Sequence, residues 1–263
     1  MNEKNICVAV VANYKYLIKY LNEFDKNLRQ NGNFKNQLVV ITNYNFLTYL
    51  YQLLILFKLP KTKFLRFRNI KFSDETNNAL SNLETGSQPN RHINKKFQWH
   101  KINLFDKKLK KWEFVFYMDI NMTIHHDINP IFNELPIGKL FAREDGYPNF
   151  ERKLSSQFDL TKKLYQELKN NYDLTIKKYF QSGILFYDTK IISNETKNEL
   201  IALVEKYPIT KTNEQAIMNL YFIFDKNIYK ELPYESDEIL NYYYWLLTDQ
   251  KIRITKQTRT QYK

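Results

Sequence analysis

Large apolar residues along this chain fall in short unbroken runs, separated by stretches with helical spacing. Ile6 to Ala12, Gln37 to Thr42, Thr62 to Phe67, Phe114 to Met118, Lys139 to Arg143 and Gly183 to Asp188 read as strands. Runs that do not alternate with polar residues belong to a sheet covered on both faces. Between them, Tyr14 to Arg29 puts Leu17, Tyr20, Leu21 and Phe24 on one side of a helix. Leu47 to Phe57 predicts a second helix, ended by Pro60. Further helices are expected at Phe97 to Leu109, through most of Ser155 to Lys178, at Glu195 to Lys206 and at Glu214 to Phe224. Residues 73 to 95 are polar, contain Gly86 and Pro89, and read as a long loop. This alternation predicts an α/β fold with a mostly parallel central sheet flanked by helices. With 263 residues and no internal repeat, one domain is expected.

Candidate chemistry begins where the Phe114 strand stops, at Asp119-Ile120-Asn121. Open α/β sheets place ligands beyond the carboxyl ends of their strands. In an extended segment Asp119 and Asn121 would point the same way. Two oxygen-bearing side chains can then converge on a hard cation such as Mn²⁺ or Mg²⁺. A cation there would neutralise a departing diphosphate. An amide in place of a second carboxylate weakens such a site. The plainer reading is that Asp119 caps a turn.

Several segments set this pair in context. QWHKINLFDKKLKKWEFVFYMDINMTIHHDINPIF runs from Gln98 to Phe132 and carries Lys101 before the strand. YFQSGILFYD spans Tyr179 to Asp188, NEQAIMNLYF spans Asn213 to Phe222 and retains Asn219, and IYKELPYE spans Ile228 to Glu235. With the opening VVANYKY, their order and spacing resemble glycogenin-like transferases, glycosyltransferase family eight. The resemblance implies a GT-A type nucleotide-diphospho-sugar transferase fold. The nucleotide-binding part would cover about residues 1 to 125 and the sugar and acceptor part about 126 to 263. It implies that Val10, Ala12, Asn13 and Tyr16 lie around the nucleobase, and that Arg91 and Lys101 lie near the phosphates or sugar. Asp119 and Asn121 would hold Mn²⁺ or Mg²⁺, bound weakly. Gln181, Ser182 and Gly183 would line the sugar pocket. Glu214 would bond donor hydroxyls and Gln215 would face the anomeric carbon, making these two the catalytic pair. The implied donor is a UDP-sugar, the acceptor a glycan or protein, and the stereochemistry retaining.

The chain departs from the family pattern in places that matter. Asn121 stands for Asp, Gln181 for Asn and Glu214 for Asp. The family's late His-x-x-G-x-x-K-P-W segment is missing, since no His follows His126 and no Gly follows Gly183. Three outcomes fit: metal held mainly through the diphosphate, replacement by Lys251, Arg253, Lys256 or Arg259 of the tail, or binding without transfer.

Composition changes this picture little. Net charge is +12, from 40 basic and 28 acidic side chains, which favours anionic partners. The basic residues are spread in local runs such as Lys107-Lys108 and Lys110-Lys111, so no nucleic-acid partner is expected. The 20 Tyr and 19 Phe accompany abundant Asn and Lys, so aromatic clusters are discounted as functional signals. Cys7, the single cysteine, reads as a core residue and excludes an internal disulfide. The first residues lead straight into a strand, and Leu50 to Leu59 is interrupted by Gln52 and Lys58. A cytoplasmic protein without a transmembrane segment is therefore expected. Adjacent His125 and His126 would face opposite sides of a strand and make a poor metal pair, while His92 and His100 read as surface or loop residues. Glu144-Asp145-Gly146 reads equally as an acceptor contact or a polar turn.

Overall fold

The computed structural model describes residues 5–55, 57–83, 96–145, 151–232 and 253–256. The chain opens with strand β1 (Ile6–Val11) and helix α1 (Tyr14–Gln30), whose Leu17, Leu21, Phe24 and Leu28 are buried. Strand β2 (Leu38–Asn43), helix α2 (Phe46–Ile55) and strand β3 (Thr62–Phe67) follow. Helix α3 (Asp74–Ser81) precedes two 3-10 segments, Gln98–Phe105 and Lys107–Lys111. Strands β4 (Phe114–Met118), β5 (Met122–Ile124) and β6 (Leu140–Glu144) come next. Helix α4 (Leu164–Asn171), strand β7 (Phe180–Asp188) and helices α5 (Thr196–Lys206) and α6 (Glu214–Asn219) lead to β8 (Tyr229–Glu231) and β9 (Ile254–Lys256).

Seven strands form the central sheet in the order β3-β2-β1-β4-β7-β6-β8. β1 to β4 are mutually parallel, β7 is antiparallel to both neighbours, and β6 pairs in parallel with β8. The unbroken apolar runs are explained by burial on both faces. Cys7, Ala9, Val39, Ile41, Val115 and Tyr117 pack on one side with the Gln98–Phe105 segment, α5 and α6. Val8, Val10, Val40, Phe116 and Met118 pack on the other, against α1 and the β5 strand. β4 and β7 run in register from Phe114↔Asp188 to Met118↔Ile184, so Asp119 and Gly183 meet where the ladder ends.

Four expectations need correction. The polar stretch after residue 73 is not all loop: Ser73 caps α3, its hydroxyl accepting from Thr76 N–H at 3.1 Å. Glu205 of α5 accepts from Ser73 N–H and Oγ, both at 2.7 Å, and so fixes that helix. Phe97 to Leu109 is two 3-10 segments, split where Asp106 takes the Lys108 N–H at 3.0 Å. Ser155 to Lys178 holds only a short 3-10 turn and α4. Asp159 and Asp173 there accept from the N–H and hydroxyl of Thr161 and Thr175, side-chain turns that compete with helix. Finally, His100 is buried, with Asn69 Oδ1 at 3.0 Å from Nε2, rather than on the surface. The helical run at Glu214 to Phe224 is α-helical to Asn219 and continues as a wider turn over Leu220–Asp225.

Asn219 ties α6 to β7. Its Oδ1 accepts from Phe180 N–H, and its Nδ2 donates to the Phe180 and Gln215 carbonyls, all at 2.9 Å. Asn219→Ala leaves those backbone groups unpaired in the core, so urea unfolding is expected to show a loss of about 2–4 kcal/mol. A loss under about 0.5 kcal/mol would mean that water or a shifted chain satisfies them. His100 gives a pH signature. Burial and nearby Lys197 push its imidazole down to about 4. The unfolded chain then takes up a proton that the folded one refuses, so stability falls as pH drops from about 6.5 toward 4. Thermal melts of His100→Gln should lose part of that decline; an identical decline would contradict the assignment.

Candidate active site

The site is built on one buried ammonium ion. Lys101 extends from the Gln98–Phe105 turn, and its Nζ lies 3.0 Å from Asp119 Oδ1 and 3.1 Å from Glu214 Oε1. It also donates to the Ser182 carbonyl and Oγ, both at 3.3 Å. Burial alone would lower the Lys101 pKa, but the Asp119 and Glu214 carboxylates outweigh it and hold the group above the usual lysine range. Three chain segments distant in sequence are thereby drawn to one point.

Each carboxylate is itself positioned. Tyr117 OH donates to Asp119 Oδ1 at 2.5 Å, and the Tyr117 ring lies 5.5 Å from Lys101 Nζ. Asp119 N–H donates to the Gly183 carbonyl at 2.9 Å, extending the β4–β7 ladder by one step. Ser182 Oγ donates to Glu214 Oε1 at 3.0 Å, while Glu214 Oε2 is buried without a hydrogen-bond partner. Gln215 is held at both ends of its amide: Oε1 accepts from Ser182 N–H at 3.0 Å, and Nε2 donates to Asp145 Oδ2 at 3.1 Å. Gln157 Nε2 donates to the same Asp145 oxygen at 3.0 Å. Before Glu214 the chain passes through Asn213 at φ +52° and ψ −127°, a positive-φ backbone that costs any residue with a Cβ. Asn213 Nδ2 donates to Gln98 Oε1 at 2.8 Å, which ties the turn carrying Lys101 to the one carrying Glu214.

The structure gathers Lys101, Asp119, Ser182, Glu214 and Gln215 into one network. Gln181 folds back so that its Oε1 accepts from Gly183 N–H at 2.8 Å. A Cβ on Gly183 would meet Gln181 Oε1 at 2.5 Å and Met122 Cε at 2.9 Å, so the chain's own side chains crowd it. Val10 and Ala12 are fully buried at the end of β1, side chain and backbone alike, and expose no surface to a ligand. Asn13 caps α1, its Oδ1 accepting from Tyr16 N–H at 3.0 Å, and Tyr16 is exposed on that helix. β1 pairs with β4, Ala9 opposite Tyr117, so these residues share the sheet edge with Asp119. Arg91, Lys251 and Arg259 lie outside the described residues, as does the side chain of Lys256. Arg253 does not join the Lys101 cluster through its Nη1, which donates to the Asp127 carbonyl. His125 Nε2 lies 2.7 Å from Thr255 Oγ1, an ordinary hydrogen bond. Glu144 sits beside Glu231, and burial together with that second carboxylate raises its acid to about 7.

Two features of the site differ from the sequence-based picture. Asp119-Ile120-Asn121 is a turn, closed by Met122 N–H donating to the Asp119 carbonyl at 3.0 Å, not an extended segment. Convergence of Asp119 and Asn121 therefore cannot rest on strand alternation. The donor set also does not by itself make a divalent-cation site. Among the described residues no three His, Cys, Asp or Glu side chains cluster suitably, and one Asp119 oxygen already binds an ammonium ion and a phenol. Tyr117, Gln157 and Asn213 were not singled out in the sequence, because their roles come only from tertiary contact.

No protein-family model matches the sequence, and no curated protein matches it. Solved structures do match in shape. The galactosyltransferase LgtC, in complex with donor and acceptor sugar analogues, aligns with a TM-score of 0.54 at 12% identity, over 82% of this chain and 70% of its own. The mannosyltransferase Ktr4p from S. cerevisiae, in complex with GDP, gives 0.55 at 14%, over 88% and 69%. The glycosyltransferase GlyE of Streptococcus pneumoniae TIGR4 gives 0.53 at 15%, over 88% of this chain and 45% of its own. The chain thus spans less than half of that last protein. At such identities the likeness is one of fold, and the fold is the GT-A type of glycosyltransferases.

Breaking the ammonium-centred network is expected to be costly. Lys101→Ala strands two carboxylates and should lose about 3–5 kcal/mol in denaturant titration. Adding Glu214→Gln should return part of that loss, because one stranded charge is removed. Strictly additive costs would show that the two groups are not coupled.

Proposed function

We propose that this chain is a glycosyltransferase that moves a sugar from a nucleotide diphosphate sugar, in the first instance a UDP-sugar, to a glycan or protein acceptor. The observation that carries this reading is the Lys101–Asp119–Glu214–Gln215 network, lying beyond the carboxyl ends of parallel strands in a GT-A fold. The buried, unpartnered Glu214 Oε2 is suited to accept a hydroxyl of the donor sugar. Gln215, fixed at both ends of its amide, can present a rigid oxygen near the anomeric carbon. Lys101 supplies fixed positive charge near the leaving diphosphate. In a retaining transfer the bond from anomeric carbon to phosphate oxygen breaks. The acceptor oxygen then bonds on the same face, and its proton passes to the departing phosphate. Asp119 and Asn121 would hold Mn²⁺ or Mg²⁺ only together with diphosphate oxygens and water, which supply the ligands the chain lacks.

A second reading, nucleotide-sugar binding without transfer, is favoured by Asn121 and by Lys101 standing between the two carboxylates. Thermal shifts across UDP, GDP and their sugars, each with and without Mn²⁺, separate the possibilities. Binding at a hundred times Kd stabilises by about 2.7 kcal/mol. A shift with UDP or a UDP-sugar, lost in Asp119→Ala, is expected. Released nucleotide and a glycosylated acceptor, abolished by the same substitution, identify a transferase; binding without any product supports the second reading. No shift with any nucleotide, for folded protein, contradicts both.

A further inference from the structure

Helix α2 is turned inside out. Of its residues only Thr48 and Ile55 are buried. Tyr44, Phe46, Leu47, Tyr49, Leu50, Leu53, Leu54 and Phe57 are all exposed, with Phe46 at 73%, Leu54 at 74% and Phe57 at 91%. These are eight of the thirteen large apolar side chains exposed among the described residues, so the patch is local and not a general property of the surface. Tyr16 and Ile18 of α1 add to it, next to the point where Tyr51 OH donates to the Leu17 carbonyl at 3.3 Å. A lone protein in water seldom leaves so many contiguous large side chains uncovered.

The surrounding charge says what covers it. Between Asp25 and Asp74 the sequence holds no acidic residue, while Lys26, Arg29, Lys35, Lys58, Lys61, Lys63, Arg66, Arg68 and Lys71 contribute nine positive charges. From Asn43 to Phe57 there is no charge of either sign. Arg66, on the adjacent sheet-edge strand β3, donates to Gln52 and lies 5.3 Å from the Tyr49 ring, so positive charge meets the apolar face at that point, and Lys58 and Lys61 follow the helix in sequence. Another copy of the chain would set this positive rim against itself. A nucleic acid would match the rim but not exposed leucines. An apolar face bordered by cations matches the interface of an anionic bilayer, where leucine and phenylalanine enter the acyl boundary and lysine and arginine meet phosphates. No helix among the described residues is long and apolar enough to cross a membrane, so the contact would be peripheral.

We propose that α2 is a membrane-docking helix, which seats the protein on an anionic lipid surface. α2 leaves β2 at the carboxyl edge of the sheet and returns to the amino end of β3, so its most exposed residues, Leu54 and Phe57, lie toward the edge opposite Asp119. Each basic side chain near the surface would raise partitioning roughly five-fold.

Vesicle flotation tests this with the whole chain, using phosphatidylcholine alone and phosphatidylcholine with added phosphatidylserine. The chain should float with the anionic vesicles and much less with neutral ones. Leu54→Ser combined with Phe57→Ser alters only exposed side chains, so its melting temperature should be retained while partitioning falls by about ten-fold or more. Lys58→Glu with Lys61→Glu should weaken partitioning separately. Three results would overturn the proposal. One is no flotation with anionic vesicles. Another is flotation unchanged in the Leu54→Ser, Phe57→Ser protein, which would make binding a general effect of positive charge. The third is a dimer in sedimentation that those same substitutions dissolve, which would assign the face to self-association.

Discussion

Everything at the candidate site depends on Lys101 Nζ standing within 3.1 Å of both Asp119 and Glu214. A lysine as buried as this one is untenable alone, because its charge would have to leave or find partners. The two carboxylates resolve that conflict, and each reaches the point only if its own element is correctly placed. Asp119 requires the β4–β7 ladder to end at Gly183. Glu214 requires the positive-φ turn at Asn213 and the Asn219 clamp onto Phe180. The same charge that holds the site together is the charge that a diphosphate would seek. On the proposed function, stability and binding would draw on one group.

Glu214 shows the cost of that arrangement most plainly. One of its oxygens is fully used, and the other is buried with no partner. A native protein rarely leaves such an atom unpaired without a use for it. Gln215 presents the opposite case, an amide with both ends committed, which fixes where it can face a ligand. Together they set one unpaired acceptor beside one rigid neighbour. Sugar hydroxyls and an anomeric centre are one chemistry that such a pair can serve.

How much of this was legible in the sequence differs by element. The parallel strands were, because a sheet buried on both faces leaves runs such as Phe114 to Met118 that no other element explains as well. Lys101, Asp119, Ser182 and Gln215 were legible through ordered motifs, and they do converge. The Asp-x-Asn geometry was not: the chain turns at Asp119–Met122 and enters β5, whose partner β9 lies more than a hundred residues away in sequence. Ser155 to Lys178 had helical spacing, but Asp159 and Asp173 drew the backbone into local turns instead. Ser73 followed by Asp and Glu was a readable helix start, obscured by the polar composition around it. Burial of His100 and the alignment of Asp145 and Gln157 arise only from packing.

The central claim is that a nucleotide sugar binds at this network. Hydrogen–deuterium exchange with and without a saturating UDP-sugar tests it in place. Added protection is expected along β7 near residues 180 to 184 and at the start of α6, with the Lys101 turn slowing as well. Unchanged exchange there, or protection confined to another part of the molecule, would contradict it.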